Sequence, residues 1–383
     1  MRSLFLYKQT TLVYNVLKLM NEKILMKAKN ILIFNPFGIG DVLFTTPLIR
    51  NLKDAFPESS ITYLCNRRTK PILDNNVFLK DVIVFEKDEW RESLRESKVG
   101  FIGKFIGFRR QIKKGKFDLM FDLSMNSQYG LFFKLSGVKR RLGLDFKNRG
   151  RFLTDKIKIV DGFKDKHVAR YYLDLLGLLG VESREYKFDL EVPQDKQGKA
   201  RASLENYGLK PEADFIGICP GSGDSWQQTA YFKRWPKEHF LKISEMISEE
   251  YASQIILFGS KAEKNICDYV YENMHTKPLN LCGKISLEEF ITLVSISKAI
   301  ITNDGGPFHI AQALNKKVIA FFGPVDDKVY GAYPDSDSSI VFKSGVECRP
   351  CYKTFKFSGC GFDKKCLRDI SPKDVFSSFK NLC

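Results

Sequence analysis

The sequence predicts an α/β protein of two parallel-sheet domains facing each other across a central cleft. Three observations carry this. Short apolar runs, of the kind buried inside parallel sheets, alternate with amphipathic helical patterns. The alternation starts afresh near the middle of the chain. And 383 residues are too many for one ordinary core and about right for two.

Residues 1–29 come first, as a basic amphipathic extension. Leu4, Leu6, Leu12, Val13, Val16 and Leu17 can share one helical face, with Lys8, Lys18, Lys23, Lys27 and Lys29 elsewhere. Such a helix either lies in a membrane interface or packs on the domain that follows. That domain, residues 30–200, opens on the apolar run from Asn30 to Phe34. The turn Gly38-Ile-Gly40-Asp41 follows, then a helical pattern through Leu43, Pro47, Leu48, Leu52 and Phe56. Residues 61–65, 82–85 and 117–123 read as further strands. The second domain, residues 201–360, repeats the grammar. A strand at 215–219 leads into Pro220-Gly-Ser-Gly223, a helix at 238–250 and a strand at 255–258. Strands at 299–302 and 318–322 follow, separated by a helix at 308–314. The boundary falls in the polar stretch 193–213, with Pro193 and Pro211. Residues 361–383 form a tail expected to pack back toward the first domain. Sheets of this kind bind ligands at the carboxyl ends of their strands.

Charge narrows the partners. The net charge is +16, of which residues 1–200 carry +15 and residues 201–383 only +1. The excess is densest from Lys98 to Arg151, where the acids are Asp118, Asp122 and Asp145. A half so charged attracts an anion: nucleic acid, acidic lipid headgroups or a phosphorylated substrate. The basic stretch has no nucleic-acid-binding motif and no aromatic stacking ladder, so nucleic acid is not the expected partner. No run of 18 apolar residues suggests a transmembrane helix, and the N-terminus lacks the pattern of a cleavable signal. The nine cysteines therefore point to reduced thiols in the cytoplasm. Four of them, Cys348, Cys351, Cys360 and Cys366, cluster near the C-terminus, either as reduced or redox-pairing structural thiols or as a candidate structural zinc site, remote from any catalysis.

The loops carry the chemistry. Gly38 and Gly40 permit a tight turn and close approach of a ligand. Asp41 stands near a helix start, where its carboxylate either caps backbone N–H groups or faces that ligand. The loop lacks the third glycine of a dinucleotide fingerprint and the Gly-Lys-Ser/Thr of a P-loop, which disfavours a nicotinamide or ATP site. Asn303-Asp304-Gly305-Gly306-Pro307-Phe308-His309 joins a strand to a helix whose free N–H groups suit a diphosphate. Lys233, in Lys233-Arg-Trp-Pro236, is either a counter-charge for a leaving diphosphate or an ordinary surface lysine.

Together these segments resemble glycosyltransferase family 9, the ADP-heptose:lipopolysaccharide heptosyltransferases. Residues 31–50 are similar to its opening signature, 233–236 to its second motif, and 303–314 with 321–326 to its C-terminal signature. The resemblance implies a GT-B fold of two Rossmann-like domains and an inverting, metal-independent transfer that needs no cofactor. The donor would be an ADP-sugar and the acceptor an anionic glycolipid at the cytoplasmic face of the inner membrane, which the enzyme would touch peripherally. Asp41 matches the family's general base, and Gly38, Gly40 and Thr45 complete the acceptor-side loop. On the donor side, Lys233 matches a phosphate-binding lysine, Ser222 an assisting hydroxyl and Glu263 an acid on the ribose. Asp304 matches an acid on the donor sugar, Gly305 and Gly306 the diphosphate loop, and His309 a motif histidine. Gly305 departs from the Ser or Thr usual there.

Overall fold

The computed structural model describes residues 28–210, 213–223, 226–251 and 253–383. The extension at 1–29 therefore lies almost wholly outside the described residues. The first sheet contains β1 (Asn30–Phe34), β2 (Ser60–Cys65), β3 (Leu79–Val84), β4 (Leu119–Asp122), β5 (Arg140–Phe146) and β6 (Asp155–Ile159), in the order 3-2-1-4-5-6. The second contains β7 (Phe215–Cys219), β8 (Gln254–Leu257), β9 (Leu279–Asn280), β10 (Ala299–Asn303), β11 (Lys317–Phe321) and β12 (Ser339–Phe342). Its order, 9-8-7-10-11-12, is the same topology again. All these strand pairs are parallel.

Strand order decides where ligands go. The order in which successive strands are added reverses between β1 and β4 in the first sheet and between β7 and β10 in the second, and a crevice opens outside the carboxyl ends of such a pair. The loops singled out above follow β1, β7 and β10. Those strands are central and apolar on both faces: every residue of β7 and β10 is buried, and Leu32 of β1 sits between Thr62 and Met120.

The departures from the expected elements have identifiable causes. The single helical pattern after β1 is two helices, Ile39–Leu43 and Thr46–Ala55. Pro47 stands in the first turn of the second, where its missing N–H is harmless; inside a continuous helix it would be disruptive. β5 begins with Arg140 and Arg141, so its apolar run is masked by charge. Arg141 is nonetheless buried, and its guanidinium donates to the carbonyls of Phe152 (2.9 Å) and Lys139 (3.0 Å). β6 is an edge strand with Asp155, Lys156 and Lys158, the composition that discourages edge pairing. The polar linker contains the helix Gln194–Glu205, which packs on Leu287–Ile296 beside the second sheet.

The C-terminal tail corrects an expectation. Its helix, Pro372–Leu382, packs on Lys237–Glu250 of the second domain instead of turning back toward the first. Val375, Phe376 and Phe379 are buried there with Phe240, Ile243 and Trp235, each contributing about 1.5–3 kcal/mol. The segment that does reach the first domain lies earlier. β13 (Tyr352–Lys353) and β14 (Lys356–Phe357) form a hairpin whose Phe355 ring sits 5.0 Å from those of both Phe146 and Phe163.

Candidate active site

The two sheets enclose a cleft of about 960 Å³. On the first-domain side two asparagines hold the loop that lines it. Asn35, fully buried after β1, donates from Nδ2 to the Asp41 carbonyl (3.0 Å) and accepts the Phe37 N–H on Oδ1 (3.1 Å). Asn66, after β2, donates to the Phe37 carbonyl at 2.6 Å. Asp41 is the third residue of Ile39–Leu43, and its Oδ2 accepts the Gly38 N–H at 3.1 Å. It therefore caps its helix and also lines the cleft. The roles are compatible, because a carboxylate offers about four lone-pair sites. Burial pushes the Asp41 carboxyl up to about 6, against the opposing pull of the Gly38 N–H and the Lys233 and Arg68 charges. A carboxylate so placed is ionised at neutral pH and a better base than an exposed one.

The facing wall is equally fixed. Asn303, buried at the end of β10, donates to the carbonyls of Pro220 (2.9 Å) and Gly221 (2.8 Å) and accepts the Trp235 N–H (2.8 Å). One side chain thus ties together the loop after β7, the loop after β10 and the segment holding Lys233. Lys233 Nζ lies 2.8 Å from Asp304 Oδ2, and both side chains are buried. Helix Gly306–Ala313 starts beside this pair with Pro307 in its first turn. Close packing explains the glycines: a Cβ on Gly305 would lie 3.2 Å from the Ser222 carbonyl, and one on Gly306 3.2 Å from Ile39 of the opposite domain.

Ser222 and Glu263 also border the cleft. The Ser222 hydroxyl donates to the Ala230 carbonyl at 3.0 Å, and Arg234 Nε donates to it at 3.3 Å. Glu263 accepts the N–H groups of Gly223 and Ser260, both at 2.8 Å, and so joins two loops. His309 is buried, with its ring 4.7 Å from that of Phe44. Burial and the Lys233 charge hold its pKa down at about 3, so the imidazole is neutral. A Cβ on Gly40 would come within 2.7 Å of that ring. Gly40 and His309 are therefore the fitted surfaces of a contact between the domains.

Thr45 corrects an expectation, and the cysteine cluster favours one of its two readings. Thr45 is fully buried behind the loop: its hydroxyl donates to the Val42 carbonyl (2.6 Å) and lies 2.7 Å from the Tyr63 hydroxyl. It supports the helix junction and does not reach the cleft. Cys348, Cys351, Cys360 and Cys366 flank the hairpin as free thiols. Among the described residues no three His, Cys, Asp or Glu side chains form a group able to hold a metal, which argues against the zinc site.

A base on one wall, with a buried cation and a helix N-terminus on the other, suits group transfer from a diphosphate. Residues 106–360 match the model of "Glycosyltransferase family 9 (heptosyltransferase)". The chain belongs to this family. Similar curated relatives of this glycosyltransferase include the lipopolysaccharide heptosyltransferase 2 of Escherichia coli K12, 24% identical over 77% of this chain and 82% of that one. The lipooligosaccharide heptosyltransferase 2 of Campylobacter jejuni is 24% identical over 92% and 98%. Among solved structures, a family 9 glycosyltransferase of Veillonella parvula superposes with a TM-score of 0.76 at 24% identity, covering 93% of this chain and 97% of that one. The E. coli ADP-heptose heptosyltransferase II superposes at 0.73 and 22% identity, covering 92% and 98%. These likenesses establish the GT-B fold.

Sequence reasoning missed several residues of the glycosyltransferase cleft. Arg68, Lys147 and Arg149 line it on the first-domain side; the basic excess of that half had registered only as bulk charge. Tyr172 borders it with a buried hydroxyl that has no hydrogen-bond partner among the described residues. Tyr352 and Lys356 reach it from the hairpin. Lys147 and Arg149 follow a strand hidden by its own arginines. The hairpin carried no signal beyond its cysteines.

Proposed function

We propose that this glycosyltransferase moves a heptose from an ADP-sugar to the anionic inner core of lipopolysaccharide, with inversion and without a catalytic metal. The observation that carries the reading is the opposition of Asp41, a buried carboxylate made more basic, to the Lys233–Asp304 pair and the helix start at Gly306. Asp41 takes the proton from an acceptor hydroxyl as that oxygen forms its bond to the anomeric carbon. On the opposite face the bond from that carbon to the diphosphate breaks, through an oxocarbenium-like state. Negative charge then grows on the departing ADP. Lys233 and the first-turn N–H groups of the helix stabilise it, supplying the positive charge this step requires.

In this reading residues 30–200 hold the acceptor and residues 201–360 the donor. Glu263 contacts the ribose, Asp304 the sugar, and Gly305 with Gly306 the diphosphate, while Ser222 shapes the neighbouring loop after β7. The neutral His309 spaces the walls. Arg68, Lys147 and Arg149 favour an acceptor rich in phosphate and carboxylate. Relatives named for lipopolysaccharide and lipooligosaccharide heptose transfer support the sugar and the acceptor, and an E. coli heptosyltransferase solved with ADP supports the nucleotide. An anionic glycolipid acceptor places the enzyme at the cytoplasmic face of the inner membrane as a peripheral protein. No helix among the described residues is long and apolar enough to cross a membrane.

Donor screening tests the proposal. ADP-heptose is compared with UDP-, GDP- and dTDP-sugars, reading nucleotide release in the presence of core acceptors. ADP-heptose should be preferred. Turnover with another donor, and none with ADP-heptose, would replace the heptose reading by another sugar on the same fold.

A further inference from the structure

Helix Lys98–Lys114 lies on the outside of the first domain between β3 and β4 and contains six basic residues and no acid. Its inner face is aromatic. Phe101 and Phe108 pack on Trp90, Phe105 and Phe108 on Phe132, and Phe108 also on Phe85, the residue after β3. Its outer face has two parts. The first turns expose Val99 (81%), Ile102 (55%) and Ile106 (42%), with Gly103 and Gly107 beside them in open space. The last turns expose Arg109, Arg110, Lys113 and Lys114. Beside it, helix Ser127–Leu135 exposes Leu131 and Leu135, and Arg109 Nε donates to the Leu135 carbonyl at 2.9 Å.

Of the twelve large apolar side chains exposed among the described residues, five lie on this pair of helices. The others are dispersed, apart from the neighbouring Leu94. A patch of aliphatic side chains bordered by arginine and lysine is unlike an ordinary solvated face, where isolated apolar residues are the norm. It has the two elements that hold a helix in a lipid interface: aliphatic groups for the acyl boundary and cations for anionic headgroups. The position also fits. Phe108 packs at the carboxyl end of β3, so the turns from Val99 to Ile106 stand at and beyond the sheet edge on which the cleft opens.

We propose that the outer face of helix Lys98–Lys114, with Leu131 and Leu135, is the surface by which this enzyme docks on an anionic lipid bilayer. The inference rests on the peripheral-membrane reading above and gives it a location. Val99, Ile102 and Ile106 enter the headgroup region. Arg109, Arg110, Lys113 and Lys114 lie along the surface and make the attraction dependent on salt. The cleft is thereby turned toward an acceptor that is itself anchored in the bilayer.

Vesicle co-sedimentation of the full chain tests this, using phosphatidylglycerol-containing and pure phosphatidylcholine vesicles at several salt concentrations. Wild type should bind the anionic vesicles, weakening as salt rises. Two variants, Val99→Ser/Ile102→Ser/Ile106→Ser and Arg109→Gln/Arg110→Gln/Lys113→Gln/Lys114→Gln, should each bind about tenfold or more weakly. Val77→Ser and Val160→Ser, at isolated exposed sites, should bind like wild type. Turnover of a delipidated soluble acceptor should be unchanged in both patch variants, which reports that they fold. Wild-type binding retained by both patch variants would overturn this surface while leaving the peripheral reading intact. No binding of wild type to any vesicle would overturn the peripheral reading itself. Conversion of a wild-type dimer to a monomer by the triple serine variant, with lipid binding retained, would make this face a contact between copies of the chain.

Discussion

Replacing Asp41 by asparagine should inactivate the enzyme and stabilise it at the same time. The carboxyl is raised from 3.8 to about 6 by burial, a displacement worth about 3 kcal/mol in favour of the neutral form. Asp41 keeps some contact with the cleft, and solvent there screens part of the effect, leaving about 1–3 kcal/mol. The sign follows from proton counting. Between pH about 4 and about 6 the folded chain holds this proton more tightly than the unfolded one. Wild-type stability therefore falls as pH rises through that window and is level above it. Asparagine pays no such cost, and its Oδ1 can still accept the Gly38 N–H that Oδ2 accepts now. Urea unfolding of Asp41→Asn should match wild type near pH 4 and exceed it by about 1–3 kcal/mol at pH 7.5. Nucleotide release at pH 7.5 should fall by about 10²–10⁴, the range of a general base, and the wild-type rate should rise with pH to a plateau above about 6. A variant that is less stable than wild type at pH 7.5 would refute the burial argument. Full activity in the same variant would refute the base.

Three further outcomes follow from the opposite wall and the domain contact. Lys233→Ala leaves Asp304 buried without its cation and should cost about 3–5 kcal/mol, with a raised donor KM. Adding Asp304→Ala should recover part of the stability but none of the donor binding, as thermal unfolding and donor titration can show. Gly40→Ala drives a methyl into His309 and should cost about 1–3 kcal/mol. The double variant Gly40→Ala/His309→Ala should lose less than the two single variants together. Phe355→Ala removes the hairpin's seat between Phe146 and Phe163, and limited proteolysis should then cut the 352–357 hairpin faster than in wild type.

The central strands were legible because they are buried on both faces and read as apolar runs closed by an asparagine or a Pro-Gly turn. The same property located the loops after β1, β7 and β10, and with them Asp41, Asp304 and Ser222. What stayed hidden lies where charge and burial part company. β5 begins with two arginines, one of them buried on backbone carbonyls, and composition gives no sign of that arrangement. Lys147 and Arg149, which follow β5, could not be placed at the cleft without it. Thr45 failed for the converse reason: a threonine next to a signature loop has the right chemistry, but its hydroxyl satisfies the Val42 carbonyl inside the core. The tail helix was assigned to the wrong partner because its apolar spacing reports that it packs and says nothing of where.

The two sheets share one strand order, so each presents its crevice between corresponding strands, and the chemistry is divided by what fills the loops. The first domain places an acid at the crevice, and the second places a lysine and a helix start there. A transferase of this design needs the base and the leaving-group site at a fixed separation, and the Gly40–His309 contact lies one residue from Asp41 and three from Gly306. Its electrostatics matter as much as its shape. Lys233 already draws the Asp41 pKa downward. An imidazolium packed against Gly40 would do so more strongly and would weaken the base. Burial keeps His309 neutral, so the domains can pack against each other without lowering the basicity of the carboxylate that the proposed reaction uses.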